Sequence, residues 1–230
     1  MAVAEKGRTE MLQVAAGMLF VASELVRDEP QEARIREFFE AGLFEDAPEG
    51  FDDEALASGL ALLREGAAAV AADASGEEAR ALKREWLRLF AGVGEPLVPS
   101  WSNYYLDPES RVLGRESLAV RELYAKHGLA VERKGTEPDD DLGLMLRFLA
   151  HLATREAQGA DTSGDQAAML RGHVLPWISA WRYAGLKHAA SAYYRGTVKF
   201  TFGLVRSYAA GLGFSYREDT RSFVEKGHTR

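Results

Sequence analysis

Apolar residues recur at intervals of three and four along this chain, and nowhere do they alternate over a run long enough for a strand. That period puts them on one face of successive helices. Met11, Leu12, Ala15, Leu19, Ala22 and Val26 form the first such face, with Thr9 ahead of it as the expected N-cap. The valines follow the helical spacing too. The expected class is all-α, a single globular bundle of nine or ten helices joined by short links over residues 1–213, with a tail at 214–230.

Glycine and proline punctuate the pattern. The first helix is expected to end near Arg27–Asp28, Pro30 to sit in the first turn of the next, and Gly42 to stop it. An alanine-rich helix runs from Asp52 through Val70. Ser75-Gly76-Glu77-Glu78 and Ser163-Gly164-Asp165-Gln166 read as capping boxes. The helix carrying Leu82, Trp86, Leu89 and Phe90 should end at Gly92 or Gly94. Glu95 to Gly114 has no helical period and reads as a long loop. Arg115 to His127 is helical, and Leu129 to Glu137 is a polar connector, a hinge candidate at 129–137. Pro138 is expected at a helix start, with Asp139, Asp140 and Asp141 in its first turn. Pro176 should kink or restart a helix, and a last long helix spans Tyr193 to Ala210.

Composition excludes several functions. Asp and Glu total 35 against 28 Lys and Arg, a net charge of −7. Nucleic acid, whose phosphates need clustered basic side chains, is not an expected partner. There is no cysteine, hence no disulfide, thiolate metal site or cysteine nucleophile. No two of His127, His151, His173, His188 and His228 stand three or four apart, so no helical histidine pair exists. The N-terminal M-A-V-A-E-K-G-R-T-E lacks the apolar core of a signal peptide. No uninterrupted apolar run approaches the roughly eighteen residues of a spanning helix. A soluble cytoplasmic protein without stable membrane insertion, cofactor or metal is expected, a monomer by default.

Two groups of residues carry possible chemistry. Trp86 and Phe90 lie one helical turn apart, and Trp101, Tyr104 and Tyr105 follow in the presumed loop. Loop aromatics are hard to bury singly. The cluster Glu137, Asp139, Asp140 and Asp141 could hold a hard cation and serve a metal-dependent enzyme, although the ligand spacing of an EF-hand is absent. Rings beside carboxylates would instead suit a peptide with an apolar stretch and arginines. A helical scaffold is the third reading.

The block from 86 to 152 resembles the TorD/DmsD family of redox-enzyme maturation chaperones. The residues that carry the resemblance are Trp86-x-x-Leu89-Phe90-x-Gly92, Pro99-x-Trp101-x-x-x-Tyr105-x-Asp107-x-Glu109, Leu113-Gly114, Val120-Arg121-x-x-Tyr124-x-x-x-Gly128-Leu129 and Glu137-Pro138-x-Asp140. Leu175-Pro176-Trp177 and Tyr193-Tyr194 resemble the family's final helices more loosely. The resemblance implies a cytoplasmic, all-helical chaperone that binds the twin-arginine leader of a molybdopterin-dependent oxidoreductase subunit and holds it until cofactor insertion, before export. It places Trp86, Phe90, Trp101, Tyr105, Pro138 and Asp140 among the leader-binding residues. In a chaperone of that kind the leader's arginine pair is expected to meet Asp140, helped by Asp139 or Asp141. It also suggests dimers formed by exchange of the C-terminal helices. The chain departs from the family pattern at two points: Asp141 stands where a histidine is usual, and Asn103 where a small serine is.

Overall fold

A computed structural model describes residues 2–92, 96–106, 114–132 and 137–216. These residues form ten helices and no named strand, as the spacing predicted. They are α1 (Ala2–Arg27), α2 (Glu32–Glu40), α3 (Glu54–Ala72), α4 (Glu77–Trp86), α5 (Ser102–Leu106), α6 (Arg115–Lys126), α7 (Leu142–Ala157), α8 (Ser163–Ala168), α9 (Ile178–His188) and α10 (Ala192–Gly211). Gly94, Asp107, Pro108, Glu109, Leu113, part of the 129–137 connector and the tail beyond Tyr216 lie outside the described residues.

Two pairings build the core. α1 lies along α7, and α3 lies along α10. The second pairing depends on glycine. A Cβ on Gly59 would stand 2.3 Å from the Phe200 nitrogen, and one on Gly203 would stand 2.2 Å from the Leu56 nitrogen. The helix backbones thus approach in a way that no larger residue permits. Trp177, Trp181, Tyr194, Tyr208 and Phe202 fill the interior around α9 and α10. Lys6–Arg27 and Glu54–Ala72 are long and apolar enough to cross a membrane by length and composition alone. This differs from the expectation drawn from uninterrupted runs. In the fold both segments are core helices, with Leu12, Leu19, Leu56 and Leu63 buried against their partners.

Several helix starts differ from the sequence reading. α1 begins ahead of Thr9, because Ala2 to Lys6 contain nothing that stops a helix. Pro30 precedes the Gln31 cap of α2 and is not in its first turn. At α4 the capping box gives way to Asp73, whose carboxylate accepts the Glu78 N–H at 2.9 Å, while Gly76 at φ 70° turns the chain. At α8, Gln166 donates to the Thr162 hydroxyl at 2.9 Å and is fully buried there. The long loop contains the one-turn helix α5. The helix after Pro138 starts only at Leu142, so Asp139 and Asp140 form a buried turn ahead of it. Other boundaries agree with expectation. Gly42 adopts φ 68° beyond α2, Gly92 ends the widened π-turn Leu87–Ala91 that follows α4, and the helix is interrupted around Pro176 before α9 begins.

Candidate peptide-binding cleft

The turn 137–141 is anchored from three sides. The Leu142 N–H donates to the Ser100 carbonyl at 2.6 Å, and the Ser102 N–H to the Asp140 carbonyl at 3.2 Å. Trp101 and Asp141 thereby face each other in an isolated antiparallel bridge. The Asp140 carboxylate is wholly buried. It accepts the Ser102 hydroxyl at 2.7 Å, the Asn103 N–H at 3.0 Å and the Ser117 hydroxyl. It thus ties α5 and α6 to the approach to α7. Asp139 is also buried and pairs with Arg121 of α6, Nη2 to Oδ2 at 2.6 Å. The Asp139 carbonyl accepts the Tyr124 hydroxyl at 2.9 Å.

Asp141 differs from its neighbours. It caps α7 by accepting the Leu144 N–H at 3.1 Å, and it lines an open cleft of about 820 Å³. Burial pushes its carboxyl up to about 7; the Leu144 N–H and Arg27 pull it down, while Glu137 and Asp140 push it further up. The cleft lies where the end of α1, the π-turn after α4, residues 100–101, the connector at 129–132 and the first turns of α7 meet.

Part of the cleft lining is aromatic. Trp86 is half-buried, and its indole N–H donates to the Val26 carbonyl at 3.2 Å. Phe90 is buried over Trp181, with ring centroids 6.3 Å apart, and meets Tyr194 edge-on at 5.8 Å. Trp101 is partly exposed and packs edge-on against Tyr104 at 6.5 Å. Another part is charged. Arg27 Nη2 lies 2.7 Å from Glu137 Oε1, and its Nη1 lies 3.2 Å from Asp28 Oδ1. Arg147 Nη2 lies 3.0 Å from the other Asp28 oxygen. Glu29 and Glu132 add carboxylates, so acidic groups outnumber the two arginines along the lining. Burial alone would lower the Arg27 guanidinium, but Glu137, Asp141 and Asp28 outweigh it and hold it raised.

Of the residues singled out in the sequence, Trp86, Phe90, Trp101, Pro138 and Asp141 line this cleft, with Glu137 beside them. Tyr105, Asp139 and Asp140 do not. Tyr105 is buried and stacks on Trp177, centroids 5.2 Å apart. The expectation that Asp140 meets a ligand arginine therefore gives way to a structural role. Arg27, Asp28, Arg147 and His151 were missed, because they enter the cleft only through the packing of α1 on α7. Among the described residues, no three His, Asp or Glu side chains converge to hold a metal ion. Asp139 and Asp140, which a metal reading would use, are committed to Arg121 and to Ser102 and Ser117.

A family model described as nitrate reductase delta subunit matches residues 50–182, more than half of the chain. The chain belongs to this TorD/DmsD family. Among relatives of the family, the Tat proofreading chaperone DmsD of Salmonella typhimurium is 30% identical over 131 residues, 57% of this chain and 62% of that protein. The probable Tat proofreading chaperone DmsD of Haemophilus influenzae is 28% identical over the same coverage. The chaperone protein TorD of Vibrio cholerae is 28% identical over 99 residues, 40% of this chain and 45% of that protein. The matches therefore span at most about three fifths of these relatives' length. The TorD/DmsD region runs from within the loop before α3 into α9. It holds Trp86, Phe90, Trp101, Pro138 and Asp141, while Arg27 and Asp28 precede it.

Proposed function

We propose that this protein is a chaperone, not an enzyme, that binds the twin-arginine leader of a molybdopterin-dependent oxidoreductase subunit in the cytoplasm and holds that subunit until its cofactor is inserted, before export. The observation that carries the reading is the cleft, in a member of the TorD/DmsD family, whose lining combines indole and phenyl rings with a surplus of carboxylates. An apolar leader stretch would lie on Trp86, Phe90 and Trp101. Its arginine pair would meet Glu137 and Asp141, the two carboxylates of the 137–141 turn that line the cleft, with Asp140 holding that turn in place from behind.

The division of labour follows from magnitudes. A large apolar side chain gains about 1.5–3 kcal/mol on full burial. A solvent-screened ion pair contributes about 0.2–1 kcal/mol. Ring contacts would therefore supply most of the affinity, and the carboxylates would supply specificity and association rate. The names of the DmsD relatives, Tat proofreading chaperones, support the same reading. Co-purification with the oxidoreductase subunit, with and without its leader, tests it. Recovery should fall sharply when the leader is deleted. Undiminished recovery would favour a scaffold that grips the folded body of the partner.

A further inference from the structure

The acidic end of the cleft is already occupied from within. Arg27, the last residue of α1, lays its guanidinium 2.7 Å from Glu137 and 3.2 Å from Asp28. Its stem passes Gly143 so closely that a Cβ there would stand 2.5 Å from Arg27 Cβ and 3.2 Å from its Cδ. The absence of a side chain at 143 is what opens that channel. Yet the guanidinium is poorly served where it sits. It offers five N–H donors in a fixed fork, and its Nε is buried without a hydrogen-bond partner among the described residues. Charge holds Arg27 in this pose more than fit does.

Resting on the leader-binding reading, we infer that Arg27 is an internal competitor, a specificity-determining side chain that holds Glu137 and Asp28 in the free protein and must swing out before a peptide arginine can pair with Glu137. The competitor has the same chemistry as the ligand it would exclude. A peptide with one weakly placed cation gains little by displacing a guanidinium. Two adjacent arginines can replace the lost pair, add a second, and fork onto carboxylates in a way lysine cannot. Apparent affinity is reduced by the fraction of molecules in which Arg27 is seated. Arg27 precedes the 50–182 segment that matches the family model, so this control comes from a part of the chain distinct from the one that supplies Trp86, Phe90 and Trp101.

Calorimetry on the full chain at low salt tests the inference. The probes are a synthetic peptide with two adjacent arginines followed by an apolar stretch, and its two-lysine counterpart. The proteins are the wild type, Arg27→Ala and Arg27→Gln, each shown to be folded by its thermal transition. Arg27→Gln keeps a methylene stem beside Gly143, so a usable variant remains if Arg27→Ala unfolds. Both variants should bind the arginine peptide about tenfold more tightly, and the preference for arginine over lysine should narrow. Binding of the arginine peptide by a variant alone would also support the inference. Unchanged or weaker binding by folded variants, with the wild type still binding, would make Arg27 a structural clamp and leave the leader-binding reading intact. No binding by any of the three would overturn both.

Discussion

Ser102 donates its hydroxyl to the buried Asp140 carboxylate at 2.7 Å, and this bond between α5 and the turn before α7 sets where Trp101 stands in the cleft. Asp140 also accepts the Asn103 N–H and the Ser117 hydroxyl. Asp140→Ala would leave three buried donors unpaired, at about 1–3 kcal/mol each before relaxation. A net loss of roughly 2–4 kcal/mol is expected. The urea midpoint should fall accordingly, and leader binding should be lost with it. Asp140→Asn, which retains acceptor oxygen, should lose less of both.

The contact between α3 and α10 gives a prediction independent of the cleft. Gly203→Ala would place a Cβ 2.2 Å from the Leu56 backbone nitrogen, where no flexible side chain can yield. Overpacking of this kind costs about 1–3 kcal/mol, occasionally more. Gly164→Ala meets nothing within 4 Å and is the control. Thermal unfolding should show a clear fall in Tm for the first and little change for the second.

Asp141 makes stability depend on pH in a defined direction. Desolvation in the cleft lining, where this residue is half-buried, pushes its carboxyl up to about 7, above the ordinary value of 3.8. The folded state therefore binds more protons than the unfolded state between those values. This group's contribution is fully present below about pH 4 and is lost as pH rises through about 7. Asp141→Asn can still cap α7 through its side-chain oxygen. The stability of this variant relative to wild type should increase between pH 4 and pH 8 by about 1–3 kcal/mol. Urea titrations at both pH values measure the difference, and a flat difference would place the Asp141 carboxylate in water.

Much of the fold was legible because helical periodicity and glycine stops are local signals. Gly42 and Gly92 end helices where the pattern breaks, and the helix is interrupted at Pro176 as its missing N–H predicts. Caps were harder to read. Ser75 and Ser163 carry the right spacing, but Asp73 and Thr162 compete for the same backbone and side-chain donors, and only packing decides between them. The cleft divides in the same way. Trp86, Phe90, Trp101, Pro138 and Asp141 fall within one contiguous block of sequence, so they could be singled out together. The three adjacent aspartates could not be told apart, because their separate tasks are set by Arg121, Ser117 and Leu144 on two different helices. Arg27 and Arg147 had no signal of their own. The nearest was the pairing of glycines with larger residues across helices, as between Gly143 and Arg27, which shows only once α1 lies on α7.

Calorimetric titration of the client's leader peptide into wild type, Trp101→Ala and Asp139→Asn tests the central claim most directly. Trp101 lines the cleft, whereas Asp139 is buried against Arg121 outside it. Trp101→Ala should weaken binding about tenfold or more, in line with the loss of a large ring that the peptide would cover. Asp139→Asn should retain nearly wild-type affinity provided it stays folded. Equal losses, or a greater loss in Asp139→Asn, would contradict a cleft whose affinity comes from the rings in its lining.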